Sequence, residues 1–155
     1  MSDMHRDVND VQKKMIDLAK AMPDASYAWR PGAGVRSVGE VFLHVASENY
    51  LIPVMMGRPA PVETGITSDA ASAMTFEKRK LSKDQIVAEL EASYLNLHRA
   101  MALTTDANAA EMMKFFGQDF SRSRAMVGTV THLHEHLGQV IAYARSNKVV
   151  PPWSK

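Results

Sequence analysis

Residues 121–146 read SRSRAMVGTVTHLHEHLGQVIAYARS, and within them Met126, Val130, Leu133, Leu137, Val140, Ile141 and Ala144 recur at three- and four-residue spacing. That period places one apolar face along a long α-helix. The same stretch holds three of the six histidines of the chain, so the segment that sets the fold also raises the question of function.

Three earlier segments repeat the helical period. Val8, Val11, Met15, Leu18, Ala19 and Met22 mark an amphipathic helix from about Asp3 to Met22, closed by Pro23. After a loop holding Trp29-Arg30-Pro31-Gly32-Ala33-Gly34, the spacing Ser37-Val38-Gly39-Glu40 is that of a capping box. Ser37 therefore opens a second helix through Val41, Phe42, Val45, Asn49 and Ile52, fading between Pro53 and Gly57. Ser82-Lys83-Asp84-Gln85 repeats the capping spacing ahead of Ile86, Leu90, Tyr94, Leu97 and Met101, a third helix ending near Leu103.

The connections are uneven. From Gly57 to about Lys80 the chain carries Pro59, Pro61 and Gly65 among small polar residues, a long connection that turns helical from Thr75 onward. Thr104 to Phe120 is mixed, with a short helix expected over Ala107–Phe115, and Val149–Trp153 reads as an extended tail. No useful period-two alternation and no internal repeat is present. The expectation is a single all-α domain over residues 1–155: a four-helix bundle with its long connection between helices two and three.

Charge and composition narrow the function. Eighteen Lys and Arg against 17 Asp and Glu leave a net charge of +1, with no basic stripe to follow a phosphate backbone, so nucleic acid is not an expected partner. No apolar run reaches the length of a membrane span, and Met1–Asp7 is polar, which sets the cytoplasm as the expected compartment unless a leader precedes this start. With no cysteine, the chain has no thiolate ligand or cysteine nucleophile, and any thiol chemistry needs a thiol from elsewhere.

The histidines carry the chemistry. On a helix, His132 and His136 lie one turn apart on one face, while His134 points about 200° away from His132. Two imidazoles so placed can reach a single cation, and the third belongs to the solvated surface with Glu135. A catalytic metal generally needs a further ligand from another element, for which His44, Glu40, Glu48 and His98 have helical positions. His44 shares a face with Glu40 and Glu48 and sits among core residues, where an imidazole needs a partner. Glu40 is already accounted for by the capping box, His98 by packing beside Leu97, and His5 by the surface near the terminus.

Trp29-Arg30-Pro31, Gly34-Val35-Arg36-Ser37, Glu40-Val41-Phe42-Leu43-His44 and the HLHEHLGQ of residues 132–139 together resemble the DinB/YfiT-like family of metal-binding bundles. The resemblance runs from the first helix to Pro151-Pro152-Trp153. It implies a four-helix bundle, a divalent metal such as zinc or nickel held by His44, His132 and His136, and a homodimer. Many members carry Arg before the Gly-Gln pair, whereas this chain has Leu137, so any role of that Arg is absent here.

Three neutral imidazoles leave a cation with its charge and an open position, the pattern of catalytic rather than closed structural sites. Such an ion can activate water or bind a small-molecule thiol as thiolate. Relatives that the sequence resembles include S-transferases and a maleylpyruvate isomerase using low-molecular-weight thiols. The expected function is a metal-dependent transferase or isomerase acting on a thiol cosubstrate and an electrophilic small molecule. Glu48, one turn from His44, is the candidate catalytic carboxylate. Arg30, Arg36 and Trp153 are candidate substrate contacts whose plainer roles are loop anchoring and tail packing. The alternatives are a metal-stabilised bundle working through dimerisation or partner binding, and a metal-dependent hydrolase.

Overall fold

The computed structural model describes residues 1–154. Five α-helices and one hairpin are present among them: α1 (Ser2–Ala21), α2 (Val38–Met55), α3 (Ala70–Glu77), α4 (Lys83–Met101), the strands β1 (Met112–Phe115) and β2 (Gln118–Ser121), and α5 (Arg122–Ser146). The fold is mostly helical, with four long helices and one short one. The extra helix, α3, lies inside the long connection. It begins at Asp69, whose side chain accepts from the Ala71 amide at 2.9 Å, and so starts earlier than the Thr75 expected.

The four long helices form a ring of neighbours in which α2 packs on α4 and α5, and α1 packs on the same two. Their starts follow the sequence signals. At Ser37 the hydroxyl accepts from the Glu40 amide (3.3 Å) while Glu40 Oε2 accepts from the Ser37 amide (2.7 Å), and Ser82 with Gln85 repeats the arrangement. Pro23 closes α1 by holding Met22 in the extended region. On α5 the buried face is Ala125, Met126, Thr129, Leu133, Leu137, Val140, Tyr143 and Ala144; Val130 and Ile141 flank it half-buried.

Helix α2 is the central element, with 14 of its 18 residues buried. It runs through Pro53 to Met55 instead of fading there, because a neighbour repairs the break. Proline has no amide hydrogen, so the Asn49 carbonyl loses its donor four residues on. Asn96 Nδ2 of α4 donates to that carbonyl at 3.3 Å, and Asn49 Nδ2 in turn donates to Ser93 Oγ at 3.1 Å. The packing of α2 on α4 thus includes a buried polar seam.

Residues 107–115 are not a helix. The Asn108 side chain accepts from the Thr105 amide (2.7 Å) and donates to the Leu103 carbonyl (2.9 Å), substituting for helical bonds with a local turn. Phe116 and Gly117 then both take positive φ, 49° and 77°, which is the backbone of a two-residue hairpin loop. Phe115 pairs with Gln118 across it. The strands have four residues each, too short for alternation to stand out in the sequence. Among the described residues no helix is long and apolar enough to cross a membrane.

Asn96→Ala removes the donor that answers the Asn49 carbonyl. Chemical denaturation should show a loss of about 1–3 kcal/mol, the cost of one buried unpaired acceptor; an unchanged unfolding free energy would mean that the carbonyl finds another donor.

Candidate metal centre

His44 projects from the middle of α2, while His132 and His136 project from adjacent turns of α5. The packing of these two helices brings the three rings together. Their centroids lie 5.5 Å (His44 to His132), 4.6 Å (His44 to His136) and 4.5 Å (His132 to His136) apart, and one nitrogen from each falls within 4.8 Å of the others. His134 is exposed and turned back on its own helix, its Nδ1 2.9 Å from the Val130 carbonyl.

Two of the rings are held from behind. Glu77 Oε1 lies 2.7 Å from His44 Nδ1, and Gln139 Oε1 lies 2.8 Å from His136 Nδ1. Each oxygen accepts, so each ring donates from Nδ1, which in the neutral ring leaves the lone pair on Nε2. Gln139 is itself steadied by a bond from its Nε2 to the Tyr143 hydroxyl at 3.1 Å, and Tyr143 meets Trp29 edge to face. His132 differs. Its Nε2 is buried and has no hydrogen-bond partner.

An orphaned buried nitrogen is costly unless something outside the protein chain answers it. Burial pushes the His132 imidazole down to about 4, with the neighbouring charges of His136, His44 and Arg36 adding to the fall. Burial also holds His136 below the usual histidine range, against the pull of its bond to Gln139. Both rings are therefore neutral at pH 7, the form in which imidazole donates a lone pair to a metal. The donor set fits a divalent cation of borderline softness.

Glu77 was not among the residues singled out from the sequence. It ends α3, and α3 is fixed on α2 by buried Ala73 and by Phe76, which packs edge to face on Tyr50. Besides His44, Glu77 accepts from Arg36 Nε and Nη2 at 3.1 and 3.0 Å, and the Ser47 hydroxyl, bonded to the His44 carbonyl at 2.8 Å, lies 3.2 Å away. Burial alone would raise its pKa, but the bond to His44 and the charges of His44 and Arg36 outweigh it and hold the carboxyl below the usual range. Glu48 is half-buried and falls with His44 and Glu77 in a second cluster of ligating atoms within 4.8 Å. Burial pushes the Glu48 carboxyl up; His44 opposes this, Glu77 adds to it and Arg36 opposes it.

The other candidates lie elsewhere. Glu40 is occupied by the Ser37 amide and by Arg30 Nη2 at 3.1 Å, and Arg30 also holds the Val35 carbonyl, so Arg30 anchors its loop. Trp153 sits in the terminal turn packed near α1. His98 Nε2 pairs with Gln12 Oε1 across α4 and α1. Arg36, by contrast, reaches the site through Glu77. It also borders, with Glu40, Met74, Glu77 and Lys78, a cavity of about 150 Å³ next to the cluster.

The family model of the DinB superfamily matches residues 8–140. No curated protein matches the chain. Solved structures of similar fold include a DinB-like protein from Bacillus cereus ATCC 10987 (15% identity, TM-score 0.75, covering 98% of this chain and 95% of that one). A conserved protein from Enterococcus faecalis (13%, TM-score 0.73, covering 93% and 94%) and a DinB-like protein from Bacillus subtilis (12%, TM-score 0.67, covering 94% of each) share it as well. At these identities the likeness is one of fold.

Burial, followed by the charge of His5, holds His98 below the usual histidine value of 6.5. The unfolded chain then takes up a proton that the folded chain resists, so stability is lost as pH falls below about 6.5. Urea unfolding of His98→Gln should lose less stability between pH 7 and 5 than the parent; equal losses would exclude His98 as a source.

Proposed function

The chain belongs to the DinB superfamily, and on that premise we propose that it is a metal-dependent enzyme in which His44, His132 and His136 hold one divalent ion, zinc or nickel. The observation that carries this reading is the buried, unpartnered His132 Nε2 beside two imidazoles whose outer nitrogens are already taken. A set of neutral nitrogen donors with no cysteine among them leaves the ion its full charge and at least one open position.

The reaction proposed is transfer or isomerisation using a low-molecular-weight thiol. When bound, the ion supplies Lewis acidity that favours the thiolate form of such a cosubstrate at neutral pH. The residues of the chain do the rest. Glu48, with its raised pKa, is suited to take the thiol proton on a carboxylate oxygen and to hold it near the reacting groups. The Arg36 guanidinium, on the rim of the adjacent cavity, offers a positive charge to an electrophilic substrate with an anionic group. A second reading, an ion that only staples α2 to α5, draws on the origin of the ligands in two different helices.

Protein purified without added metal should contain close to one equivalent of a divalent ion by elemental analysis. His44→Ala, His132→Ala and His136→Ala should lose most of it, and His134→Ala should retain it. Equal loss from His134→Ala would overturn the assignment of faces. A small thiol added to the cobalt-substituted protein should change its visible spectrum if the enzyme reading is right. An unchanged spectrum, with unfolding on metal removal, favours the staple.

A further inference from the structure

We infer that Glu77 is a positioning residue of the metal centre, fixing His44 with its proton on Nδ1 and its lone pair on Nε2, so that the long connection between α2 and α4 is part of the site. The inference rests on the three-histidine reading for its ligand, but its geometry is independent of any ion.

The two carboxylate oxygens of Glu77 have separate partners. Oε1 receives the His44 Nδ1 hydrogen at 2.7 Å, while Oε2 receives both Arg36 nitrogens at 3.0 and 3.1 Å; the Ser47 hydroxyl lies 3.2 Å from Oε1 but has its shorter bond, 2.8 Å, to the His44 carbonyl. Three N–H donors around one carboxylate leave it little freedom to rotate. The Glu77 side chain is only 14% exposed, and Phe76 beside it is buried against Tyr50, so the carboxylate is carried on a packed segment. A buried carboxylate behind an imidazole excludes the opposite tautomer, because a ring protonated only on Nε2 would set two lone pairs face to face at Nδ1.

His136 shows what a weaker arrangement looks like in the same site. Its Nδ1 partner is the neutral Gln139 amide from one turn along its own helix. His44 has a charged partner from 33 residues away, delivered by a separate helix. Carboxylate acceptors behind metal-bound imidazoles orient the ring and strengthen it as a donor. Glu77 thus supplies to His44 both orientation and compensating negative charge, without itself facing the other two rings.

The test compares the full chain with Glu77→Gln and Glu77→Ala. Zinc affinity is measured by competition with a chromophoric chelator, and the His44 tautomer of the metal-free protein by ring nitrogen shifts in NMR. Glu77→Ala should bind zinc about 10- to 100-fold more weakly and shift His44 towards the Nε2-protonated form. Glu77→Gln, which keeps an oxygen acceptor, should hold the Nδ1-protonated form and lose less affinity; it also carries the test if the alanine variant does not fold. Wild-type affinity in Glu77→Ala, or an unchanged tautomer, overturns the inference. So does a glutamine variant as weak as the alanine one, since the orientation it retains would then count for nothing. Failure of the parent itself to bind zinc would refute the three-histidine reading, while the tautomer readout would still decide the role of Glu77.

Discussion

A helix buried on nearly every side has to find a partner for each polar atom it carries, and α2 is such a helix. Its apolar residues make it the inner wall of the fold, yet it also carries His44, Ser47, Asn49 and a proline that strips one carbonyl of its donor. Leaving any of these unanswered costs on the order of 1–3 kcal/mol. Each neighbour supplies part of the answer. Helix α4 brings Ser93 and Asn96 to Asn49, α3 brings Glu77 to His44, and the Ser47 hydroxyl bonds the His44 carbonyl of its own helix. Helix α5 brings two further imidazoles.

The same requirement divides α2 into two functional halves. Towards α4 the Asn49 amide nitrogen and backbone carbonyl are paired with Ser93 and Asn96, and the seam is structural. Towards α5 the polar groups do not close: three imidazoles meet, two are braced from behind, and one buried nitrogen is left over. A buried nitrogen without a partner, on a ring set beside two other imidazoles, is a donor that a cation would satisfy. The convergence of three imidazoles is the physical basis for placing the function between α2 and α5.

Much of this was legible in the sequence because it depends on local rules. The apolar period located the four long helices to within a few residues, and the Ser37 and Ser82 capping boxes marked two starts that the hydrogen bonds repeat. Helical geometry alone separated His134 from His132 and His136. What escaped depends on distant or very short segments. Nothing around Glu77 distinguishes it from a surface acid; its role comes from the path of the connection, which returns it to His44 from 33 residues away. The hairpin rests on two positive-φ residues and four-residue strands, and the side chain of Asn108 diverts the preceding segment from the helix that its composition suggested. Continuity of α2 past Pro53 was equally hidden, since the repairing donor lies on α4.

The central claim is that His44, His132 and His136 act together as neutral donors to one ion. X-ray absorption spectroscopy of the zinc-loaded protein tests it most directly, because imidazole gives a distinctive multiple-scattering signature. The account predicts three imidazole nitrogens at about 2.0–2.1 Å, completed by one or two light-atom ligands. A zinc ion surrounded by oxygen, with one imidazole or none, would contradict it.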